Sequence, residues 1–128
     1  NPVIGLMTDW IKDDMKIQRE YASHKGGTMR LGSYSCVIEK KTLAYKIYGS
    51  SKIFERHRHR YEVNTKYINK FKKEGYIFSG MSPDNLLPEI VESKRHPWFV
   101  GVQFHPELKS RPLNPHPLFI SFVKACIR

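Results

Sequence analysis

Apolar and polar positions divide the chain into short segments. Val3 to Met7 is apolar apart from one glycine, which predicts a short buried strand. Residues 9–25 turn polar and lose periodicity, the pattern of a long surface loop, and Gly26-Gly27 punctuates its end. Two β-like runs follow, Thr28 to Leu31 and Tyr34 to Glu39. Leu43 to Tyr48 is expected as a helix, with Thr42 as its cap and Gly49 as its stop. Ile53 to Val63 reads as extended, with basic residues at a period of two. Asn64 or Thr65 caps the next helix, which carries Tyr67, Ile68 and Phe71 as its stripe and stops at Gly75. Tyr76 to Met81 predicts a strand, and Ser82-Pro83-Asp84-Asn85 a turn. Leu87 to Glu92 predicts another strand, which Pro88 makes an edge or a bulged one. Phe99 to Phe104 is apolar on both faces and is expected to be central. Pro117 to Cys126 closes as a helix, with Leu118, Phe119, Phe122 and Val123 as its buried stripe. Strands outnumber helices in the middle, so the fold class is mixed α/β.

A length of 128 residues bounds this to one modest domain. No apolar run approaches the roughly 20 residues that span a bilayer, and Asn1-Pro2-Val3 does not open a secretory leader. These features, with two cysteines in no C-x-x-C spacing, point to a reducing, cytoplasmic setting. The chain does not start with Met, which fits a fragment, a trimmed chain or a processed product. A net charge of +10 permits a polyanion partner. The lysines are scattered, however, and no aromatic-interleaved nucleic-acid motif is present, so no nucleic-acid partner is expected.

Two constellations could carry chemistry. In Gly101-Val102-Gln103-Phe104-His105-Pro106-Glu107, an apolar strand ends at a histidine and a proline stops the ladder. A carboxylate two residues on could hold one ring nitrogen of His105 and leave the other as a base. Spacing alone leaves open that His105 is a satisfied strand-end histidine with Glu107 on the surface. In Arg56-His57-Arg58-His59-Arg60-Tyr61, strand alternation puts three guanidinium groups on one side and His57, His59 and Tyr61 on the other. The arginines suit a carboxylate or phosphate. They also suit a charged strand that resists edge-to-edge pairing. The two histidines alone make a poor start for a closed metal site, and none is expected. A non-catalytic basic module binding a polyanion remains the alternative reading.

Together these segments resemble the CTP synthase family. Gly26-Gly27-Thr28-Met29-Arg30-Leu31-Gly32, Glu55-Arg56-His57-Arg58-His59-Arg60-Tyr61-Glu62-Val63-Asn64 and His96-Pro97 through His105-Pro106-Glu107 match it in order and spacing. Ser110-Arg111-Pro112 and His116-Pro117-Leu118-Phe119 match too, so the resemblance runs from about Pro2 to Ala125. It implies part of a class I glutamine amidotransferase domain, a flavodoxin-like α/β sandwich with a central mixed sheet and flanking helices. Residues 1–128 would be the C-terminal portion of that domain. His105 would be the general base, Glu107 its orienting partner, Arg60 a ligand of L-glutamine and Tyr61 a lining residue. Arg19 would sit in a lid over residues 9–25 linked to GTP, an allosteric activator. The resemblance leaves Arg56 and Arg58 without a role.

The family nucleophile lies in a G-x-C-x-G turn that this chain lacks, and Cys36 and Cys126 are in other contexts. The chain alone is therefore expected to be inactive, and to work with an upstream amidotransferase segment and an N-terminal synthetase domain. No cofactor is expected in this chain. ATP and Mg2+ would belong to the synthetase domain, and the whole would be a homotetramer making CTP from UTP.

Overall fold

The computed structural model describes residues 3–6 and 29–127. Its strands are β1 (Ile4–Leu6), β2 (Arg30–Ile38), β3 (Lys52–His59), β4 (Tyr61–Val63), β5 (Tyr76–Met81), β6 (Pro88–Ser93) and β7 (Val100–Val102). The helices are α1 (Leu43–Tyr48), α2 (Ile68–Lys73) and α3 (Pro117–Cys126), with single 3-10 turns at Thr65–Tyr67 and Pro106–Leu108. A five-stranded sheet runs in the order β3-β2-β5-β6-β7, and β1 and β4 form a separate pair. Every pairing among the described residues is antiparallel.

Local chemistry places the helices where the sequence predicts them. The Thr42 hydroxyl accepts from Tyr45 N–H at the start of α1, and Gly49 ends the helix at φ 66°, a left-handed conformation that glycine adopts without a Cβ clash. The Glu92 carboxylate reaches over from β6 and accepts from Leu43 N–H (2.9 Å) and Ala44 N–H (2.6 Å), satisfying donors that α1 leaves open. His116 caps α3: its Nδ1 accepts from Leu118 N–H at 3.3 Å, and Pro117 occupies the first turn. The other ring nitrogen of His116 donates to Glu55 Oε1 at 2.8 Å, which pins the helix start to β3.

The core joins Cys36, Ile38, Ile53, Ile90 and Phe104 from the sheet side to Ala44 and Leu118 from α1 and α3. The sheet also curls until its two edges nearly meet. Gln103 N–H donates to Glu89 O on β6 (3.0 Å), and His105 N–H donates to Arg56 O on β3 (2.8 Å). The chain leaving one edge strand thus bonds to the other.

Several expectations need correction. The two runs expected on either side of Gly32 are joined in one strand, Arg30–Ile38, that passes through Gly32, whose φ of 101° suits glycine. The strand carrying Pro88 is interior, not an edge. The bulge expected of it is present: of two register shifts flanking Gly80, one skips Ser79 on β5 and the other skips Glu89 on β6 itself, beside Pro88 at the strand's first residue. The apolar run from Phe99 is at the edge, not the centre, and only Val100–Val102 is strand. Val100 and Val102, on one face of the strand, pack against the core. Of the expected α3 stripe only Leu118 is buried, while Phe119, Phe122 and Val123 are exposed. Ile4 of β1 is exposed as well.

Among the described glycines, Gly80 is the most closely packed. A Cβ there would lie 2.6 Å from Ile90 Cγ1, 2.8 Å from Ile90 Cδ1 and 2.9 Å from Cys36 Sγ. Gly80→Ala should therefore destabilise the fold by about 1–3 kcal/mol through overpacking. Urea denaturation followed by Trp98 fluorescence checks this, and an unchanged midpoint would contradict it.

Candidate functional site

His105 follows the short edge strand β7 and begins the 3-10 turn at Pro106–Leu108. Its amide is held by Arg56 O, and its carbonyl accepts from Leu108 N–H at 3.1 Å. With the backbone fixed on both sides, the ring has a defined origin. Nδ1 of His105 lies 2.6 Å from Glu107 Oε1. A carboxylate can only accept, so Nδ1 carries the proton and Nε2 presents its lone pair. Glu107 is exposed. Slight desolvation acts to raise its pKa, but hydrogen bonds from its own backbone N–H and from His105 outweigh that and lower it. Glu107 is thus an anion at neutral pH. A surface-accessible imidazole with one nitrogen held by an anion and the other open is a general base in waiting.

Arg60 occupies the bend between β3 and β4, where the chain leaves the five-stranded sheet to pair with β1. It is exposed, as are Arg56 and Arg58, so the guanidinium groups do lie on the outward face. The alternation stops at that bend. His57 is buried, but Tyr61 is 56% exposed, and Glu62 takes the inward position instead. Tyr61 therefore does not share a face with His57. Arg19 and the lid expected over residues 9–25 lie outside the described residues, as do Gly26, Gly27 and Thr28 of the glycine-flanked strand.

Beneath these groups is a buried polar cluster that sequence reasoning missed. The Arg30 guanidinium donates to Glu89 Oε1 (2.7 Å) and to Glu62 Oε1 (3.3 Å), and it stacks 4.6 Å from the Tyr34 ring centre. Gln103 Nε2 donates to Glu62 Oε2 (2.6 Å) and to Pro88 O (2.7 Å). His59 Nδ1 lies 2.9 Å from Tyr61 O, and since a carbonyl only accepts, that nitrogen carries a proton. His59 Nε2 must then accept from His57 Nδ1 at 2.7 Å. Both tautomers follow from one carbonyl. Two ends of the chain stay unpartnered, His57 Nε2 and Glu89 Oε2, and they face each other at 3.6 Å. A protonated Glu89 carboxyl would donate toward that lone pair and complete the chain.

The electrostatics agree with this arrangement. Burial, helped by the nearby Arg30 charge, pushes the His57 pKa down to about 3, so its ring is neutral. Burial pushes the Glu89 carboxyl up to about 7, even against the hydrogen bond and charge of Arg30. His57 and His59 are bonded to each other, and no three His, Cys, Asp or Glu side chains among the described residues are arranged to hold a metal ion.

Cys36 does not suit a nucleophile. Cys36 is fully buried in the core, and burial pushes its thiol up to about 12. Cys126 is on the exposed last turn of α3. No helix among the described residues is long and apolar enough to cross a membrane.

Residues 5–125 match the family model for glutamine amidotransferase class-I. The chain is 58% identical over 127 residues to a CTP synthase of Hyphomonas neptunium, covering 99% of this chain and 23% of that one. It is 58% identical over 128 residues to a CTP synthase of Paramagnetospirillum magneticum, covering 100% of this chain and 24% of the relative. It thus spans about a quarter of the curated relatives' length. Among solved structures it is similar to the glutaminase domain of Trypanosoma brucei CTPS with bound acivicin. That likeness has a TM-score of 0.77 at 36% identity and covers 96% of this chain and 45% of the other.

The buried cluster generates a pH prediction. Glu89, raised above its unfolded value, binds an extra proton in the folded state, so its stabilisation is lost as pH rises from about 4.5 through about 7. His57, depressed, lacks a proton that the unfolded chain takes up, so stability is lost as pH falls from about 6.5 towards 3. The two slopes cancel in between, which leaves a plateau from about pH 4.5 to 6.5. Glu89→Gln should remove the decline on the neutral side and keep the acidic one. Denaturation midpoints across pH check this, and equal pH profiles for the two proteins would contradict it.

Proposed function

The chain belongs to the class I glutamine amidotransferase family, and we propose that it supplies the base and part of the glutamine pocket of a CTP synthase glutaminase. The observation that carries this reading is the 2.6 Å contact of His105 Nδ1 with Glu107, which leaves Nε2 open as a base. In this reading residues 1–128 form the C-terminal portion of the amidotransferase domain. The cysteine nucleophile comes from an upstream segment, and the chain by itself hydrolyses no glutamine.

The reaction follows from the base. Nε2 of His105 takes the thiol proton, and the thiolate attacks the glutamine amide carbon. Glu107 stabilises the imidazolium that forms. The carbon–nitrogen bond breaks as the imidazolium returns its proton to the leaving nitrogen, and ammonia departs. Water, deprotonated by the same nitrogen, cleaves the glutamyl thioester to glutamate and restores the thiol. Arg60, exposed at its bend, offers a planar fork of donors to the α-carboxylate of L-glutamine, and Tyr61 lines the same site. A synthetase domain using ATP and Mg2+ would consume the ammonia in converting UTP to CTP. GTP activation through the lid, a homotetrameric assembly and a cytoplasmic location belong to the same proposal.

The test uses a CTP synthase in which this segment replaces its counterpart. His105→Ala should reduce glutamine-dependent CTP synthesis by about a thousandfold or more, while synthesis from free ammonia stays within about twofold. A variant with normal glutamine use would remove His105 from catalysis.

In the same enzyme Arg60→Ala should raise the glutamine KM by about tenfold or more with a smaller change in kcat, because a binding contact is lost. An unchanged glutamine saturation curve would contradict that role.

A further inference from the structure

We infer that Gln103 and Glu62 are positioning residues for the glutamine reaction: their hydrogen bond fixes the His105 segment against the Arg60 segment. This inference rests on the proposed function. Gln103 precedes His105 by two residues, and Glu62 follows Arg60 by two. Their side chains meet at 2.6 Å, Gln103 Nε2 donating to Glu62 Oε2. The same amide nitrogen donates its second hydrogen to Pro88 O, so both donors are used.

Glu62 is almost fully buried, and its other oxygen faces Arg30 at 3.3 Å and His59 at 3.7 Å. It is therefore anchored by Arg30 and His59 independently of Gln103. The anchoring is unequal. Beside the short pairing of β7 with β6, the His105 segment is held by His105 N–H on Arg56 O, by Gln103 N–H on Glu89 O and by the Gln103 side chain. The Arg60 segment is held by β3, by β4 pairing with β1 and by Arg30. Cutting the side-chain tie should thus loosen the base more than the binding arginine.

The hydrogen bond also sits beside the chemistry rather than in it. Glu62 is buried and cannot meet the substrate, so its effect passes through the placement of its neighbours. A misplacement on the order of 1 Å at a reacting group can cost about a hundredfold in rate.

The experiment again uses a CTP synthase carrying this segment. Gln103→Met keeps the volume and removes the donors. It should lower glutamine-dependent kcat by about tenfold to a hundredfold, with the glutamine KM within about threefold and ammonia-dependent synthesis unchanged. Glu62→Gln keeps an acceptor oxygen and should stay within about threefold of the parent kcat, whereas Glu62→Leu should lose kcat and raise KM together. Gly80→Ala serves as the control for plain destabilisation and should leave glutamine kcat unchanged. If Gln103→Met does not fold, Gln103→Asn, too short to span to Glu62, should show the same kcat loss. A normal kcat in Gln103→Met, or parallel loss of glutamine and ammonia activity, overturns the inference. If His105→Ala is inactive with glutamine while Gln103→Met is normal, the positioning role alone fails. If His105→Ala is active, the underlying function fails.

Discussion

A guanidinium buried between two carboxylates organises this structure. Removing Arg30, Glu62 and Glu89 from water carries a desolvation cost that Coulomb attraction alone does not reliably offset. What makes the arrangement tolerable is that nearly every remaining hydrogen-bonding site is used. Arg30 reaches both acids, Gln103 occupies the second oxygen of Glu62, and the His57–His59 pair runs out to the Tyr61 carbonyl. The two unpartnered atoms, His57 Nε2 and Glu89 Oε2, face each other and are complementary as soon as one proton is shared. Such a cluster draws on β2, β3, β4, β6 and the residues after β7. It is satisfied only when those elements hold one particular register. The curl of the sheet, with His105 N–H bonded to the far edge at Arg56, is the geometry that closes it.

The groups proposed to react gain their rigidity from this interior rather than from their own surroundings. His105, Glu107, Arg60 and Tyr61 are all at least partly exposed, as their proposed contact with a small polar substrate requires. Exposed side chains on loops hold position poorly unless the backbone beneath them is fixed. Here the backbone on either side of each pair enters the buried cluster within two residues, through Gln103 on one side and Glu62 on the other. The second buried acid group works similarly at the opposite end of β3. Glu55 accepts from His116 and from the Tyr48 hydroxyl (3.1 Å), and hydrogen bonding to His116 keeps its carboxyl low despite burial. One strand thus carries acid clamps for α3 and basic residues for the site.

What could be read from the chain depended on whether a feature was local. Thr42 and Gly49 bound α1 where their capping chemistry places it, and Pro117 opens α3, because caps act over a few residues. His105 and Glu107 are two residues apart, and their pairing follows from spacing once the strand end is known. The α/β class followed from the same local periods, and the class I amidotransferase family from whole motifs. The buried acids were not legible. Glu55, Glu62, Glu89 and Glu92 read as surface residues by type, since carboxylates are rarely fully buried unless paired. Their partners Arg30, His116, Gln103 and the α1 amides are 32 to 61 positions away in sequence. The usable signal was the period-two pattern through Glu55, His57 and His59, which marks one inward face, and the first of these was not included in it.

The same distinction explains the misplaced strands. Apolarity on both faces suggested a central position for the run at Phe99, yet β7 is an edge strand. Its apolar residues are covered by the core cluster and its outer side is left to the chain that turns toward His105. Edge position is what lets the chain leave the ladder there. A central strand would have a second neighbour competing for the His105 amide, which here bonds to β3 instead. The exit also delivers His105 next to the basic strand, because the curled sheet brings its two edges together. Placement of His105 at an edge strand, over a buried ionic cluster, is therefore a single structural decision. The register that satisfies the buried charges is also the register that sets His105 beside β3.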